Sequence, residues 1–541
     1  MKRTWAYCLL LMIYFLPLQG RSQNRDAIVA GKDIAIVETD AGKVRGYIHK
    51  GIYTYKGIPY GKADRFMPPA RPAAWKDTRS CMTYGPVCPM DPTTTVNDEF
   101  EFPFHHNWGY ANENCLTLNV WTPAINDNKK RPVMVWFHGG GFSTGSALEL
   151  PSYDGENLAR KGDIVLVSVT HRLNVLGFLD LSSYGEKYRA SANVGLMDLV
   201  VSLEWIKQNI GKFGGDPSNV TIFGQSGGGG KVTCLMNAPS AKGLFSKAIV
   251  ESGSYLSGFT ERSVAKRVGE AVMAELQFQP DQIDSLQKIS YEKLNAAAKK
   301  ALVKVNAALR AEGKPVPGFG LGWGPVVDTL FLPYQPSEAP ALDLAKNVPL
   351  LVGTTKNEFT PFIPGSRGIS MDKAKENLQK KYADKTDNYL AAVKQAYPET
   401  TKPSDYIDID FIFRGGAIRQ ANQKAAAGGA PVYMYLFAWQ SPILDGAFKA
   451  MHCMELPFVF NNIDKCEEMT GGGKEAYALA DKVSSAWINF ARSGNPTAKN
   501  LPAWPAYTEQ SGATMIFDNK CEVRNNPDKD LQAFAPKTGT N

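Results

Sequence analysis

Beyond residue 18 this 541-residue chain has no apolar run long enough to cross a bilayer, which takes about 20 residues. Blocks of like charge are missing too. The net charge of +7 is spread along the chain, and no run of basic residues alternates with aromatics. That argues against a nucleic-acid stripe and for a mixed, solvated surface. Cysteine is sparse, at eight residues, and its spacings match no zinc site. No metal or organic cofactor is expected. There is no internal repeat and no long low-complexity linker, so a solenoid or a string of tethered modules is not indicated. Histidine is the scarcest of the chemically useful residues. The six are His49, His105, His106, His138, His171 and His452.

What is present reads as globular. The chain is 44% hydrophobic and 21% charged, with ample material for a core. Lys2 and Arg3 precede an apolar run from Trp5 to Leu18, and Gln19-Gly20-Arg21-Ser22-Gln23 then turns polar. This pattern predicts a secretory signal peptide over residues 1–22, and a secreted or periplasmic protein. An uncleaved anchor is the alternative, but the run is short for one. Residues 23–541 are expected to form a single domain. Seven cysteines then remain: Cys81, Cys88, Cys115, Cys234, Cys453, Cys466 and Cys521. In an exported protein some should pair, and an odd count leaves at least one thiol over in a monomer.

Six short apolar runs recur along the chain: 133–137, 164–169, 220–223, 247–250, 349–353 and 432–436. Continuous apolar runs of this length suit strands buried on both faces. Residues 34–60 alternate instead, with glycine breaks, and predict antiparallel hairpins. Helical patterns lie between the runs. In 196–213, Leu199, Leu203, Ile206 and Ile210 share one face; a further helix spans 475–492, stopped by Gly494 and Pro496. Residues 261–313 and 371–406 are helix-rich and hold no obvious strand. The alternation predicts an α/β fold: a large, mostly parallel sheet, helices on both faces, and helical insertions.

The chemistry starts at Ser226. It lies in Gly224-Gln225-Ser226-Gly227-Gly228, directly after the run that ends at Phe223. A serine hydroxyl is a weak nucleophile unless it is exposed and paired with a base. A sharp strand-to-helix turn exposes it, and flanking glycines permit the strain of that turn. Upstream, Phe137-His138-Gly139-Gly140-Gly141-Phe142 follows another strand run. Glycines there let main-chain N–H groups crowd a carbonyl oxygen, as an oxyanion hole requires. In hydrolases built this way the chain order is serine, acid, histidine. Only His452 follows Ser226, so elimination makes it the base. The acid falls between them. Glu358, on a loop after the 349–353 run, is the leading candidate; Asp328, Asp408 and Asp410 are rivals.

Several ordered blocks resemble the type-B carboxylesterase family, the α/β-hydrolases related to cholinesterases. They include Tyr55-Lys56-Gly57-Ile58-Pro59-Tyr60, Glu113-Asn114-Cys115-Leu116, Phe213-Gly214-Gly215-Asp216-Pro217 and Trp487-Ile488-Asn489-Phe490. The resemblance covers almost the whole mature chain. It implies the α/β-hydrolase fold, with insertions over an active-site gorge, and hydrolysis of carboxylic esters through an acyl-enzyme. It implies Ser226 as nucleophile, Glu358 as acid, His452 as base, and Gly140, Gly141 and Gly227 as oxyanion donors. It also implies a Cys88–Cys115 disulfide. Four positions depart from the usual pattern: Asn114 stands for Asp, Gln225 for Glu, Gly227 for Ala, and Cys453 for Gly. Cys453 is expected to be a small packed residue rather than a second nucleophile. The expected partner is a small-molecule or polymer-linked ester, with no nucleic acid. The rival reading is a non-catalytic binding or adhesion protein on the same scaffold.

Overall fold

All six apolar runs form strands, and their neighbours explain why they are apolar throughout. We analysed a computed structural model that describes residues 26–91, 98–254, 258–316, 320–362 and 365–536. The leader expected over residues 1–22 lies outside the described residues. In the strand Arg131–Phe137, Val133, Val135 and Phe137 enter one buried cluster, while Met134 and Trp136 enter another. Val165, Val167 and Val169 alternate with Leu166 in the same way. Successive side chains of a strand point to opposite faces. A sheet covered on both sides therefore needs apolar residues at every position. Each such side chain contributes roughly 1.5–3 kcal/mol on burial.

The strands of the main sheet are β1 (Tyr47–His49), β2 (Ile52–Pro59), β3 (Thr117–Thr122), β4 (Arg131–Phe137), β5 (Val165–Val169), β6 (Gly215–Gln225), β7 (Lys247–Glu251), β8 (Leu350–Thr355), β9 (Val432–Phe437), β10 (Ala513–Phe517) and β11 (Glu522–Asn525). Their spatial order is β11-β10-β9-β8-β7-β6-β4-β5-β3-β2-β1, an eleven-stranded sheet. From β5 through β10 the pairings are parallel; β1, β2, β3 and β11 join antiparallel at the two ends. The alternating segment 34–60 forms hairpins as expected, but splits between sheets. Ile36–Glu38 and Lys43–Arg45 pair in a separate three-stranded sheet with Arg79–Ser80.

Helices cover both faces. On one lie α1 (Val194–Asn209) and α2 (Gly227–Met236), through Leu196, Leu199, Leu203, Val232 and Leu235. The helical stretch 261–313 packs with them as α3 (Arg262–Glu275) and α4 (Tyr291–Ala311), through Val268, Val272, Leu294 and Ala298. The stretch 371–406 supplies α5 (Met371–Tyr382) and α6 (Thr386–Ala396). These pack in a separate cluster against Leu436 and Ile516, at the ends of β9 and β10. On the other face, α7 (Lys474–Ser493) buries Leu479, Val483, Trp487 and Phe490. It stops where expected: Gly494 takes φ +78°, and its N–H donates to the Phe490 carbonyl at 2.8 Å. Glycine adopts that conformation without steric cost.

The expected Cys88–Cys115 disulfide is not formed. Both are buried, unbonded thiols, as are or nearly are Cys81, Cys234, Cys453, Cys466 and Cys521. The two side chains touch through a hydrogen bond, which with burial pushes the Cys115 thiol well above its ordinary value. Cys88 Sγ is also engaged elsewhere. It accepts the Leu173 N–H at 3.3 Å and donates to the Pro89 carbonyl at 3.6 Å.

Candidate active site

Parallel α/β sheets offer their carboxyl ends as binding sites. Here four strands deliver the sequence-derived residues to that edge. Strand β6 ends at Gln225, and Ser226 turns the chain into α2 with φ 57° and ψ −126°. A serine with that backbone costs of order 1–3 kcal/mol, so the surroundings must hold it. They do so by hydrogen bonds and by contact. The Ser226 N–H donates to the Glu251 carbonyl at 2.8 Å, and the Ser226 carbonyl accepts the Gly230 N–H at 2.9 Å. The glycines after it allow an approach that no side chain would. A methyl group on Gly228 would lie 1.9 Å from the Phe137 carbonyl oxygen, and one on Gly227 would lie 2.1 Å from that of Gly141. Ser226 is half-buried, and its hydroxyl makes no hydrogen bond with a described residue. Bonds of this kind often tighten only with substrate bound.

The loop after β4 lies against this turn. Gly140 and Gly141 have φ of +79° and +62°. A methyl group on Gly140 would strike the Thr144 carbonyl oxygen at 2.3 Å, whereas one on Gly141 would meet nothing within 4 Å. Gly141 therefore faces open space. Gly139 is close to the serine: its missing Cβ would be 3.5 Å from Ser226 Cβ.

The imidazole comes from the loop after β9, and its carboxylate from the loop after β8. His452 Nδ1 bonds Glu358 Oε2, and the His452 N–H donates to the Glu358 carbonyl at 2.9 Å. Glu358 is fully buried with φ 45°. Its other oxygen, Oε1, accepts from Ser252 Oγ at 2.6 Å and from the Thr355 N–H at 2.9 Å. A buried carboxylate with all these donors is held in one place. With the carboxylate on Nδ1, the Nδ1–H tautomer leaves Nε2 as the acceptor for an incoming proton.

None of the rival acids reaches His452. Asp328 accepts from Asn193 Nδ2 and from the N–H groups of Leu330, Phe331 and Leu332, so it staples a turn. Asp408 pairs with Lys449 at 3.0 Å. Asp410 accepts the N–H groups of Ile412, Phe413 and Arg414 at the start of a helix; burial, then the nearby Glu358, push it up to about 7. The other histidines are engaged elsewhere. His49 pairs with Glu156 at 2.5 Å, and His106 with Glu101 at 3.2 Å. His138 and His171 are buried, and desolvation holds both well below the ordinary imidazole range.

Four side chains surround the imidazole, of which the sequence reading had singled out Gln225 and Cys453 but not Phe359 and Phe413. Gln225 Nε2 lies 3.3 and 3.1 Å from the two ring nitrogens of His452, while its Oε1 accepts from Cys453 Sγ at 3.2 Å. Near-equal distances put the amide against the ring rather than along either lone pair. Phe359 and Phe413 flank the same ring, with centroids 4.1 and 5.3 Å away. Cys453 is raised well above its usual thiol value, chiefly by burial, and so carries little thiolate. That agrees with a packed residue. Gln225 and Cys453 did carry a signal, since both depart from the usual residue beside the serine and the histidine. The phenylalanines carried none, because only the fold brings them there.

The comparisons with known proteins agree with this geometry. The pattern of the carboxylesterase family matches residues 33–535. The chain belongs to the carboxylesterase family. It is 37% identical to the para-nitrobenzyl esterase of Bacillus subtilis, over 93% of this chain and 99% of that one. It is 34% identical to the human cocaine esterase, over 89% of this chain and 88% of that one. Among solved structures, it is similar to an esterase of the anaerobe Clostridium hathewayi that can hydrolyse aliphatic aromatic polyesters. That likeness has 38% identity and a TM-score of 0.85, over 94% of this chain and 99% of the other. This carboxylesterase has the α/β-hydrolase fold and is a carboxylic-ester hydrolase.

Proposed function

We propose that this carboxylesterase works through Ser226, Glu358 and His452. The observation that carries the reading is the Glu358–His452 pair set beside the strained turn that presents Ser226. His452 Nε2 takes the Ser226 proton as Oγ attacks the ester carbonyl. The N–H groups of Gly140, Gly141 and Gly227 receive the developing oxyanion. His452 then returns the proton to the leaving alcohol, and an acyl-enzyme remains. Water, activated by the same imidazole, releases the acid. Glu358 keeps the ring in one tautomer and stabilises the imidazolium. Phe359 and Phe413 offer an aromatic wall beside the imidazole. That wall supports an ester with an apolar or aromatic group, free or linked to a polymer. Export is part of the same reading, on the strength of the basic and apolar N-terminus.

The test is hydrolysis of a p-nitrophenyl ester together with labelling by a fluorophosphonate, which reacts only with an activated serine. Ser226→Ala and His452→Ala should each abolish turnover while the protein stays folded, and Ser226→Ala should abolish labelling. Wild-type-like turnover in either variant would sink the assignment. The mature N-terminus of protein recovered outside the cytoplasm checks export: it should begin near residue 23.

A further inference from the structure

Lys231 is the one charged residue in the first ten positions of the helix that follows Ser226, and it has no exposure to solvent. An isolated buried ammonium is costly unless it is bonded. Lys231 is bonded, but not to a carboxylate. Its Nζ donates to the His138 carbonyl at 2.8 Å and to the Gly139 carbonyl at 3.5 Å. It also stands 5.8 Å from the centre of the Phe142 ring. All three contacts belong to the loop after β4. Around it lie His138, His171, Glu149 and Cys234. Burial pushes the lysine down to about 7, against the pull of Glu149.

The geometry of the peptide bond says what this grip does. A carbonyl and the following N–H share one rigid plane and, in the trans form, point in opposite directions. Holding the His138 carbonyl therefore fixes the Gly139 N–H, and holding the Gly139 carbonyl fixes the Gly140 N–H. Both N–H groups are therefore aimed away from the lysine. The next plane has a second holder. The Gly140 carbonyl accepts from the Thr144 N–H at 3.0 Å and from Thr144 Oγ1 at 3.2 Å, which fixes the Gly141 N–H. The loop is rich in glycine, so its own dihedrals would not hold these planes. His138 adds one bond, from Nδ1 to the Gly139 carbonyl at 2.9 Å.

We propose that Lys231 is a positioning residue for the oxyanion site: it clamps the His138 and Gly139 carbonyls from within the helix and so aims the Gly140 N–H at the reacting carbonyl, while Thr144 holds the plane of the Gly141 N–H. The inference rests on the reading of Gly140 and Gly141 as oxyanion donors. Its signature is a loss felt in the transition state and not in substrate binding, since donors aimed at the oxyanion act where charge develops.

The experiment compares Lys231→Met with wild type and with Ser226→Ala. It measures kcat and KM on p-nitrophenyl butyrate, affinity for an aryl trifluoromethyl ketone that forms a tetrahedral adduct, and the melting temperature. Lys231→Met should lower kcat about 10- to 100-fold, somewhat less than outright loss of one oxyanion donor. KM should stay within about threefold, and the ketone should weaken by the same factor as kcat. Wild-type kcat in Lys231→Met, or a loss of kcat with unchanged ketone affinity, overturns the inference. Should Lys231→Met not fold, Lys231→Gln is judged by the same criteria. A failure of the underlying reading looks different: wild type would then not hydrolyse the ester, or Ser226→Ala would. In either case the role of Lys231 falls with it.

Discussion

Around Ser226 the site is made of backbone; around His452 it is made of side chains. On the serine side, Gly227, Gly228 and Gly140 bring main chains so close that a single methyl group would collide. On the imidazole side, Glu358 is fixed by Ser252, Thr355 and His452, and the ring is flanked by Gln225, Phe359 and Phe413. The difference teaches where each half is vulnerable. The first half should respond to added volume, and the second to lost hydrogen bonds or altered charge. A second contrast lies within the imidazole side. Glu358 has donors on both oxygens, yet neither oxygen of the equally buried Glu455 bonds another described residue. Burial, then Glu251 and Glu358, hold the Glu455 carboxyl well above its ordinary range. Among the described residues the protein thus supplies donors to the carboxylate that bonds the imidazole and none to its buried neighbour.

The sharpest way to break the imidazole side is Glu358→Gln. The amide keeps the shape but no longer selects the Nδ1–H tautomer, so kcat should fall by on the order of 10³–10⁴. Steady-state kinetics on a p-nitrophenyl ester measure it; a loss below tenfold would show that the backbone bond alone orients His452. The matching break on the serine side is Gly227→Ala. Its Cβ would stand 2.1 Å from the Gly141 carbonyl oxygen, so helix and loop must part. We expect kcat to drop about 10²-fold, the scale of one misplaced oxyanion donor. Unchanged turnover would mean that the two main chains separate without consequence.

The smallest effect concerns stability rather than turnover. Glu251 is buried at the end of β7, where Oε1 accepts from Trp487 Nε1 at 2.6 Å and burial raises its pKa from 4.5 to about 8. The folded protein therefore keeps this proton over a range where the unfolded chain has lost it. The stabilisation is complete below about 4.5, declines as pH rises through that window, and is gone above about 8. Glu251→Gln keeps an acceptor for Trp487 and removes the titration. Its melting temperature should match wild type at pH 5 and exceed it by a few degrees at pH 9. Parallel curves across that range would contradict the assignment.

Much of this was legible in the residues. The six core strands announced themselves because both faces of the sheet are covered. Ala513–Phe517 and Glu522–Asn525 did not: each is short, and the second is only partly buried. Ser226 and the glycine loop were readable from local pattern, and His452 from elimination among six histidines. Glu358 needed the fold, since what separates it from Asp410 is which of two neighbouring carboxylates touches the ring. The Cys88–Cys115 bond was inferred from likeness alone, and the thiols instead lie buried and unbonded. Lys231 offered a faint signal, a lone charge in an otherwise glycine-rich and apolar helix start. Its partners belong to a loop some ninety residues earlier in the chain.

The bond from the His452 N–H to the Glu358 carbonyl is one more rung beyond the paired ends of β8 and β9, and Glu358 bridges Met451 in the same parallel sense. Acid and imidazole are thus stitched together by main chain as well as by side chain. Any shift that moved one of the two residues without the other would have to break this main-chain rung as well as the carboxylate–imidazole bond.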